Sequence, residues 1–307
     1  MGNKGFLFIF NQAAGKKKKA DMNALVLDRA SKAGLNKDDI FLVYSTSKTS
    51  SQFLIDRFSE EYRDGVVVAC GGDGTVHSIG NLMIDTELTF AILPLGTGND
   101  LYTGLYGKRS VKDQIDHIFK GKTSETDAIY IPELDLYTMN ILSVGADANV
   151  VFQANDFKEN NKFLQKYAYI ASIPKALQAG TAFDIDLTAR KDGVELKLMD
   201  GPYILAALCN GMMYGGGFKI NPGGQVSDGL LELIYVQTMP MHKIWAVLYK
   251  FFSGKHEDLK ELRSLLCDEV VYTSKDGSPM ILNCDGEIYQ LPIFTCQVKK
   301  HAYKRII

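Results

Sequence analysis

Two glycine-rich segments hold the most chemically suggestive residues of this sequence. The first, Gly71-Gly72-Asp73-Gly74-Thr75, follows the apolar run Val66 to Cys70 and precedes apolar residues at helical spacing. Glycine lets backbone N–H groups approach a ligand, and a helix N-terminus carries partial positive charge, so this segment favours a phosphate. Asp73 would repel that phosphate unless a cation lies between them, which indicates a nucleotide bound with Mg²⁺.

The second segment repeats this arrangement. Phe90 to Leu93 predicts another buried strand, and Pro94-Leu95-Gly96-Thr97-Gly98-Asn99-Asp100 follows it. Neither segment completes a P-loop, because the chain contains no Gly-x-x-x-x-Gly-Lys-Ser/Thr sequence. His77 and Leu101 stand where the dinucleotide-binding pattern Gly-x-Gly-x-x-Gly requires its last glycine. We therefore expect neither a P-loop nucleotidase nor a dinucleotide dehydrogenase.

Four strand–helix repeats are expected to position these segments. Phe6 to Phe10 and Ile40 to Tyr44 predict two further strands, and the helix after the first of them is expected from Met22 to Ala33. Right-handed crossovers bring the carboxyl ends of parallel strands to one edge of a sheet. The sequence therefore predicts an α/β fold whose N-terminal part is a doubly wound parallel sheet with its loops at one edge.

The pattern changes after Asp127, where strands begin to follow strands. Apolar residues alternate with polar ones from Phe183 to Ala189, and Lys191-Asp192-Gly193 predicts a hairpin turn. This pattern is typical of an antiparallel, β-rich, sandwich-like domain. We therefore expect residues 1–127 to form a nucleotide-binding α/β domain and residues 128–297 to form a β-rich substrate domain.

Composition limits the possible partners and location. The chain has 307 residues, 46% of them hydrophobic, and a net charge of −2, so it has no general attraction for nucleic acid. No apolar run is as long as a membrane span, and the first residues lack the layout of a signal peptide. The five cysteines are widely spaced and mostly lie in apolar stretches, which indicates reduced core thiols in a cytoplasmic protein.

The two glycine segments together identify a family. In their order and spacing they resemble the catalytic domain of the diacylglycerol kinase superfamily, in its soluble bacterial lipid kinase branch. Further matches extend along nearly the whole chain, at Asn11 to Gly15, Asn140 to Ala148, Asn210-Gly211, Gly215 to Gly217, Asp228 to Leu233 and Asp285-Gly286-Glu287. The resemblance implies an ATP-dependent lipid kinase that transfers the γ-phosphate to the hydroxyl of diacylglycerol or a related lipid.

Phosphoryl transfer requires mostly positioning and charge neutralisation. The residues expected to hold the nucleotide are Asn11, Gly15, Thr46, Gly71, Gly72, Asp73, Gly74, Thr75, Val76 and Thr97. Asp73, Asp100 and Asp127 fall at sheet-edge positions and can form an acidic cluster for Mg²⁺, with Lys16 offsetting their repulsion. The resemblance implies a network of Lys16, Asp100 and Asp127. It also implies that Glu287 accepts the proton of the lipid hydroxyl.

The resemblance further implies a structural Mg²⁺ held by Asp228, the backbone of Leu230 and the residue three positions before the aspartate. That residue is Gln225 here, whose amide oxygen coordinates Mg²⁺ more weakly than a carboxylate does. Another departure is Gln12, which replaces the proline of the family's Asn-Pro pair. The family also implies that the segment from about residue 298 to 307 returns to the first domain.

The motifs leave the exact activity open. An NAD kinase shares the Gly-Gly-Asp-Gly-Thr segment, although Gly96 to Asp100 and Asp285-Gly286-Glu287 favour the lipid branch. A kinase of sphingoid bases or of a different lipid alcohol would carry the same motifs, and so would a nucleotide-binding regulator without turnover. A lipid kinase must meet a membrane. The basic segments Lys16 to Lys19, Lys108-Arg109 and Lys299 to Arg305 predict a transient, salt-sensitive contact of about 1 kcal/mol per basic residue near the surface. Homodimer formation is left open.

Overall fold

The computed structural model describes residues 4–11, 16–45, 47–146, 148–149, 183–199, 201–256 and 259–307. The chain divides into two compact units, of which the first comprises Met1–Thr126 and His301–Ile307, and the second comprises Asp127–Lys300. Within the described ranges, no helix has both the length and the apolar character needed to cross a membrane.

The first unit is built on a parallel sheet with the strand order β2-β1-β3-β4. Its strands are β1 (Phe6–Asn11), β2 (Ile40–Ser45), β3 (Val66–Gly71) and β4 (Thr89–Pro94). Its helices are α1 (Lys16–Lys32), α2 (Lys48–Glu61), α3 (Asp73–Met83), α4 (Asp100–Tyr106) and α5 (Val111–Lys120). Helix α1 begins six residues before the expected Met22 because the lysine run is helical, and lysine is a good helix former.

Both faces of this sheet are covered, as the continuous apolar strands predict. Phe6 and Phe8 of β1 share one buried cluster with Val26 of α1 and Ile115 of α5. On the opposite side, the ring of Phe58 in α2 lies 5.8 Å from that of Phe41 in β2. Helices on both faces of a parallel sheet define the predicted doubly wound arrangement.

A strand from the far end of the chain extends this sheet. Strand β16 (Ile293–Ile306) ends in the first unit, where Lys304 and Arg305 pair in parallel with Thr89 and Phe90 of β4. Strand β5 (Thr123–Ile131) leads from the first unit into the second, since the division falls after Thr126.

The second unit is dominated by antiparallel strands. Its six-stranded sheet has the order β12-β11-β10-β7-β14-β15. These strands are β7 (Ile141–Gly145), β10 (Tyr203–Cys209), β11 (Leu231–Gln237), β12 (Leu262–Cys267), β14 (Met280–Cys284) and β15 (Glu287–Leu291). Further elements in the described part of this unit include β6 (Leu136–Thr138), β8 (Ile185–Lys191), β9 (Val194–Glu195), β13 (Glu269–Ser274) and helix α6 (Met241–Ser253).

The core of the second unit lies between two layers of strands. Leu208 and Tyr235 of the six-stranded sheet share a buried cluster with Tyr272 of β13 and Phe294 of β16. A second buried cluster joins Phe251 of α6 to the other face of the six-stranded sheet, at Ile234 and Ala207. The α/β fold class, with a parallel N-terminal sheet and a β-rich sandwich-like second part, is confirmed.

Two Asp-Gly turns close hairpins in this unit. Asp192 and Gly193 have φ values of 52° and 77° and connect β8 to β9, as the sequence predicts. Asp285 and Gly286 have φ values of 54° and 99° and connect β14 to β15. The two turns therefore share the left-handed geometry that Asp-Gly pairs tolerate, although their surroundings differ.

All five cysteines are free and buried, which confirms their interpretation as core thiols. Burial raises the pKa of Cys267 to about 12 and holds the pKa of Cys70 and Cys296 well above the ordinary thiol value. Because the thiolate is the reactive form, we expect no thiol to react with an aromatic disulfide reagent at about pH 8 while the protein is folded. All five should react after denaturation, and rapid labelling of any thiol in the native protein would contradict this expectation.

Candidate active site

The carboxyl ends of β1 and β3 form the point where the strand order of the first unit reverses. Open α/β sheets bind ligands in the crevice at such a point. Asn11 ends β1, and its side-chain N–H₂ group donates a hydrogen bond of 3.3 Å to the hydroxyl of Thr75, just after β3. The predicted residues Asn11 and Thr75 are therefore in contact.

Helix α3 begins directly at this point. Gly72 is its N-cap and has no side chain to bond the first turn, which contains Asp73, Gly74 and Thr75. The first backbone hydrogen bond of the helix runs from the N–H of Val76 to the carbonyl of Gly72, at 3.0 Å. Gly74 is exposed at this terminus. A helix start with partial positive charge and no side-chain cap suits a phosphate group.

The glycines of the two segments also allow the segments to pack closely together. A Cβ on Gly96 would lie 2.3 Å from the Cα of Gly72, which no real Cβ tolerates. A Cβ on Gly71 would lie 2.4 Å from the Thr75 hydroxyl oxygen. The N–H of Leu95 donates to the carbonyl of Gly71 at 2.9 Å, which adds a backbone bond between the segments. The glycines are therefore required by packing as well as by any ligand.

Asp73 joins the same two segments through its carboxylate. Its Oδ2 accepts a hydrogen bond from the backbone N–H of Asn99, and its Oδ1 accepts one from the backbone N–H of Asp100, both at 2.8 Å. These donors open helix α4, so the carboxylate also meets the positive end of that helix. Asp73 thus contacts the second glycine segment directly.

Asn99 shapes the second segment from within. It adopts the left-handed conformation, with φ 57° and ψ 44°, which asparagine tolerates better than most residues. Its side chain accepts a hydrogen bond from the N–H of Gly96 at 3.1 Å and donates one to the Gly96 carbonyl at 2.8 Å. Thr97 is exposed at the tip of this loop, whereas Asp100 is buried at the start of α4.

Three predicted ligands of the nucleotide and its cation lie wholly or partly outside the described residues. Gly15 and Thr46 lie outside them, and Lys16 is the first residue of α1 with a side chain that is likewise outside them. Among the described residues, no three side chains of His, Cys, Asp or Glu lie close enough together to hold a metal ion. Asp73 and Asp100 belong to the first unit and Asp127 to the second, so the acidic cluster of these three residues stays a prediction.

Asp127 is fully buried in the second unit and holds a loop there. Its Oδ2 accepts a hydrogen bond from the N–H of Gly229 at 2.7 Å, and its own N–H donates to the carbonyl of Val226 at 2.7 Å. The side chain of Asn210 donates to the carbonyl of Asp127 at 2.8 Å. Asp127 thus fixes both ends of the segment that contains Asp228.

That segment carries the predicted structural metal ligands. Gln225 and Asp228 are both exposed, and Asp228 Oδ1 accepts a hydrogen bond from the N–H of Leu230 at 3.1 Å. An amide oxygen, a carboxylate and the Leu230 carbonyl form an all-oxygen donor set that suits Mg²⁺. The side chain of Lys300 lies beside this loop, with Nζ 3.3 Å from the position that a Cβ on Gly229 would take. Its charge would weaken cation binding.

Glu287 lies at the start of β15, directly after the turn at Asp285 and Gly286. It pairs with Cys284 across the hairpin, and its side chain is exposed. Burial raises the pKa of nearby Tyr289, and the Glu287 carboxylate adds to that shift. The Tyr289 phenol therefore stays protonated near neutral pH.

The Asp285 carboxylate anchors this hairpin to the connection between β6 and β7. It accepts hydrogen bonds from the N–H groups of Met139 at 2.8 Å, Asn140 at 3.0 Å and Ile141 at 3.1 Å. The Asn140 carbonyl in turn accepts hydrogen bonds from the N–H groups of Asn210 at 2.9 Å and Gly211 at 2.8 Å. A continuous chain of polar contacts within the second unit therefore connects the Glu287 hairpin to Asp127.

Sequence reasoning did not assign roles to Asn99, Asn140, Asn210 or Asp285. Asn99 precedes a helix, where asparagine ordinarily indicates an extended N-cap, so its left-handed conformation was not evident from the sequence. The other three were visible only as members of matching segments. Their partners are distant in sequence, as in the 146 residues that separate Asp285 from Met139.

Two family models match this chain and together span most of it. Residues 5–131 match the model described as the diacylglycerol kinase catalytic domain. Residues 140–302 match the model described as the YegS C-terminal NAD kinase beta sandwich-like domain. The first match contains both glycine segments, and the second contains the Asp228 loop and the Glu287 hairpin.

Individual relatives agree with these models. The chain is 24% identical over 299 residues to a protein of Staphylococcus carnosus named diacylglycerol kinase, covering 95% of this chain and 92% of that protein. It is 26% identical over 239 residues to a Bacillus subtilis protein provisionally named lipid kinase YtlR, covering 75% of this chain and 76% of the relative. A solved structure from Bacillus anthracis, titled as a diacylglycerol kinase, shares the fold with a TM-score of 0.69 at 16% identity, covering 99% and 96% of the two chains. The chain therefore belongs to the diacylglycerol kinase catalytic-domain family and is a lipid kinase.

Proposed function

We propose that this kinase transfers the γ-phosphate of ATP to the hydroxyl of diacylglycerol, which gives a phosphatidic acid. The observation that carries this proposal is the pair of glycine segments packed against each other beside the crevice of the parallel sheet. Relatives named diacylglycerol kinase support the choice of acceptor.

The proposed roles divide between binding and chemistry. The start of α3 would hold phosphate oxygens through backbone N–H groups, with hydroxyl contacts from Thr75 and Thr97 and from Thr46. Lys16 would neutralise phosphate charge together with the cation. Glu287 would accept the proton of the attacking lipid hydroxyl.

Mg²⁺ is proposed at two places. The Asp100 carboxylate would hold the ion that accompanies ATP, which would supply positive charge to neutralise the phosphates during transfer. A second, structural ion would be held by Gln225, Asp228 and the Leu230 carbonyl. The all-oxygen donor set fits Mg²⁺, but a single carboxylate near the Lys300 ammonium favours only weak binding.

Replacing Gln225 with aspartate should strengthen the structural site. A second carboxylate adds charge and a better ligand, so we expect Mg²⁺ to bind at least about tenfold more tightly to Gln225→Asp. Bound ligand stabilises the folded state, so Mg²⁺ should raise the Tm of the variant more than that of the native protein. Gln290→Asp, which adds the same charge at an exposed position of β15, is the control. Equal responses of all three proteins to Mg²⁺ would exclude an ion at this loop.

Phosphate transfer from labelled ATP to a mixed lipid extract in detergent micelles tests the proposed function. The expected product is labelled phosphatidic acid, identified by chromatography, and its formation should require Mg²⁺. Label in a phosphorylated sphingoid base or another lipid alcohol would support a lipid kinase but contradict diacylglycerol as its acceptor. Label on NAD, or tight ATP binding with no labelled product, would overturn the proposal.

We also propose a transient contact with the membrane surface during turnover. Lys108 and Arg109 are exposed in the first unit, where they could meet anionic lipid. Sedimentation with vesicles that contain anionic lipid should show binding that decreases as salt is added, whereas neutral vesicles should bind little. Binding that is equal for neutral and anionic vesicles would contradict this contact.

A further inference from the structure

We propose that Asp73 is a positioning residue, which locks the second glycine segment onto the first, and that the metal of bound ATP is left to Asp100. This inference rests on the proposed function for its kinetic consequences. Its structural basis is independent of the acceptor. An aspartate within a phosphate-binding segment would ordinarily be assigned to the cation.

The hydrogen bonds of Asp73 support a positioning role. Each carboxylate oxygen accepts one backbone N–H, from Asn99 and Asp100, at 2.8 Å. Both N–H dipoles direct their positive ends at the carboxylate, where a cation bound at the same lone pairs would be repelled. Charge-assisted bonds to two consecutive N–H groups fix both the position and the orientation of the start of α4.

The surrounding glycines leave space for this contact. A Cβ on Gly98 would lie 2.6 Å from Asp73 Oδ2, so any other residue at 98 would displace the carboxylate. Gly96 lies against Gly72, where a Cβ would meet the backbone. Besides these close contacts and the bond from Leu95 to Gly71, the Asp73 carboxylate links the two segments through its two hydrogen bonds.

The consequence concerns Asp100. Its N–H is held by Asp73, and its side chain is buried at the first position of α4. Because the carboxylate of Asp100 extends from a backbone that Asp73 immobilises, the loss of Asp73 should misplace Asp100 without removing it. Asp73 would thus act on ATP binding and transfer through the geometry of the second segment.

Two variants test the inference by different chemistry. Asp73→Asn keeps one acceptor oxygen, but its N–H₂ group faces a backbone donor, so one of the two bonds is lost. Gly98→Ala keeps the carboxylate and its charge, but its Cβ pushes Oδ2 away from Asn99. The matched control is Gly223→Ala, because a Cβ there would meet nothing within 4 Å and the residue lacks a positive φ.

Amide hydrogen exchange, calorimetric ATP binding and Mg²⁺ titration are the measurements. We expect exchange at Asn99 and Asp100 to be at least about tenfold faster in both variants, and ATP binding to be about tenfold weaker. Because both variants misplace the Asp100 carboxylate, the Mg²⁺ concentration for half-maximal activity should rise by a similar factor in both, and Gly223→Ala should resemble the native protein in every measurement.

The opposite pattern would overturn the inference. If Asp73 held the cation, Asp73→Asn alone would raise the Mg²⁺ requirement, exchange at Asn99 and Asp100 would stay slow in that variant, and Gly98→Ala would bind ATP normally and keep the native Mg²⁺ requirement. The exchange measurement needs no substrate, so a chain that failed to phosphorylate any lipid could still confirm the contact. Failure of the proposed function is thereby distinguishable from failure of this inference.

Discussion

Glu287→Gln should lower kcat for lipid phosphorylation by about 10²- to 10⁴-fold, the range that general acid–base catalysis ordinarily supplies. Glutamine has nearly the same shape but cannot accept the proton of the lipid hydroxyl. Glu287 is exposed, and the hairpin is held by strand pairing and by Asp285, so the variant should fold normally. The measurements are labelled-phosphate transfer at saturating ATP and lipid, and the Tm of each protein.

Glu195→Gln is the matched control for this experiment. Glu195 is also an exposed glutamate on a hairpin strand of the second unit, in β9. It should retain native activity. If Glu287→Gln kept native kcat while the lipid product was formed, Glu287 would be removed as the proton acceptor and the kinase assignment would stand.

Asp285→Ala should strongly destabilise the second unit. Its carboxylate accepts hydrogen bonds from three consecutive backbone N–H groups, at Met139, Asn140 and Ile141. Leaving a buried donor without a partner costs about 1–3 kcal/mol, so losing these contacts should lower the free energy of unfolding by about 3 kcal/mol or more. Urea unfolding followed by circular dichroism measures this change.

The turn at Asp192 and Gly193 provides a matched control for the effect of turn conformation in Asp285→Ala. Asp192 has nearly the same φ as Asp285 and occupies the same position in an Asp-Gly hairpin of the same unit. Like Asp285→Ala, Asp192→Ala therefore places an alanine in the left-handed conformation. Unlike Asp285→Ala, it does not remove hydrogen bonds to three backbone N–H groups. We expect it to cost about 1 kcal/mol. Equal losses in the two variants would show that turn conformation, rather than the carboxylate contacts, accounts for the effect.

Local patterns were sufficient to predict most of the fold. The runs Phe6 to Phe10 and Val66 to Cys70 are short, apolar and bounded by turn residues, and each is a strand in the structure. The Asp192-Gly193 hairpin was equally visible. These features depend on neighbours within a few residues, where turn chemistry and periodicity are decisive.

The predictions for the site were less complete because its contacts are distant in sequence. The glycines and Asp73 were found from their pattern, but the bond from Asp73 to Asn99 crosses 26 residues. The partner of Asp127, Gly229, lies 102 residues away. Charge and spacing suggested that Asp73, Asp100 and Asp127 would gather around a cation. Nothing in the sequence shows that backbone N–H groups donate hydrogen bonds to two of these carboxylates.

Strand β16 has a consequence for the order in which the protein can be made. Lys304 at the end of this strand forms an ion pair with Glu87 just before β4, across 217 residues of sequence. A ribosome therefore produces the first four strands of the first unit long before the strand that completes their sheet. Until then the edge of β4 lacks its partner, and an open strand edge invites pairing with other chains. The sheet of the first unit is therefore completed only after the second unit has been synthesised.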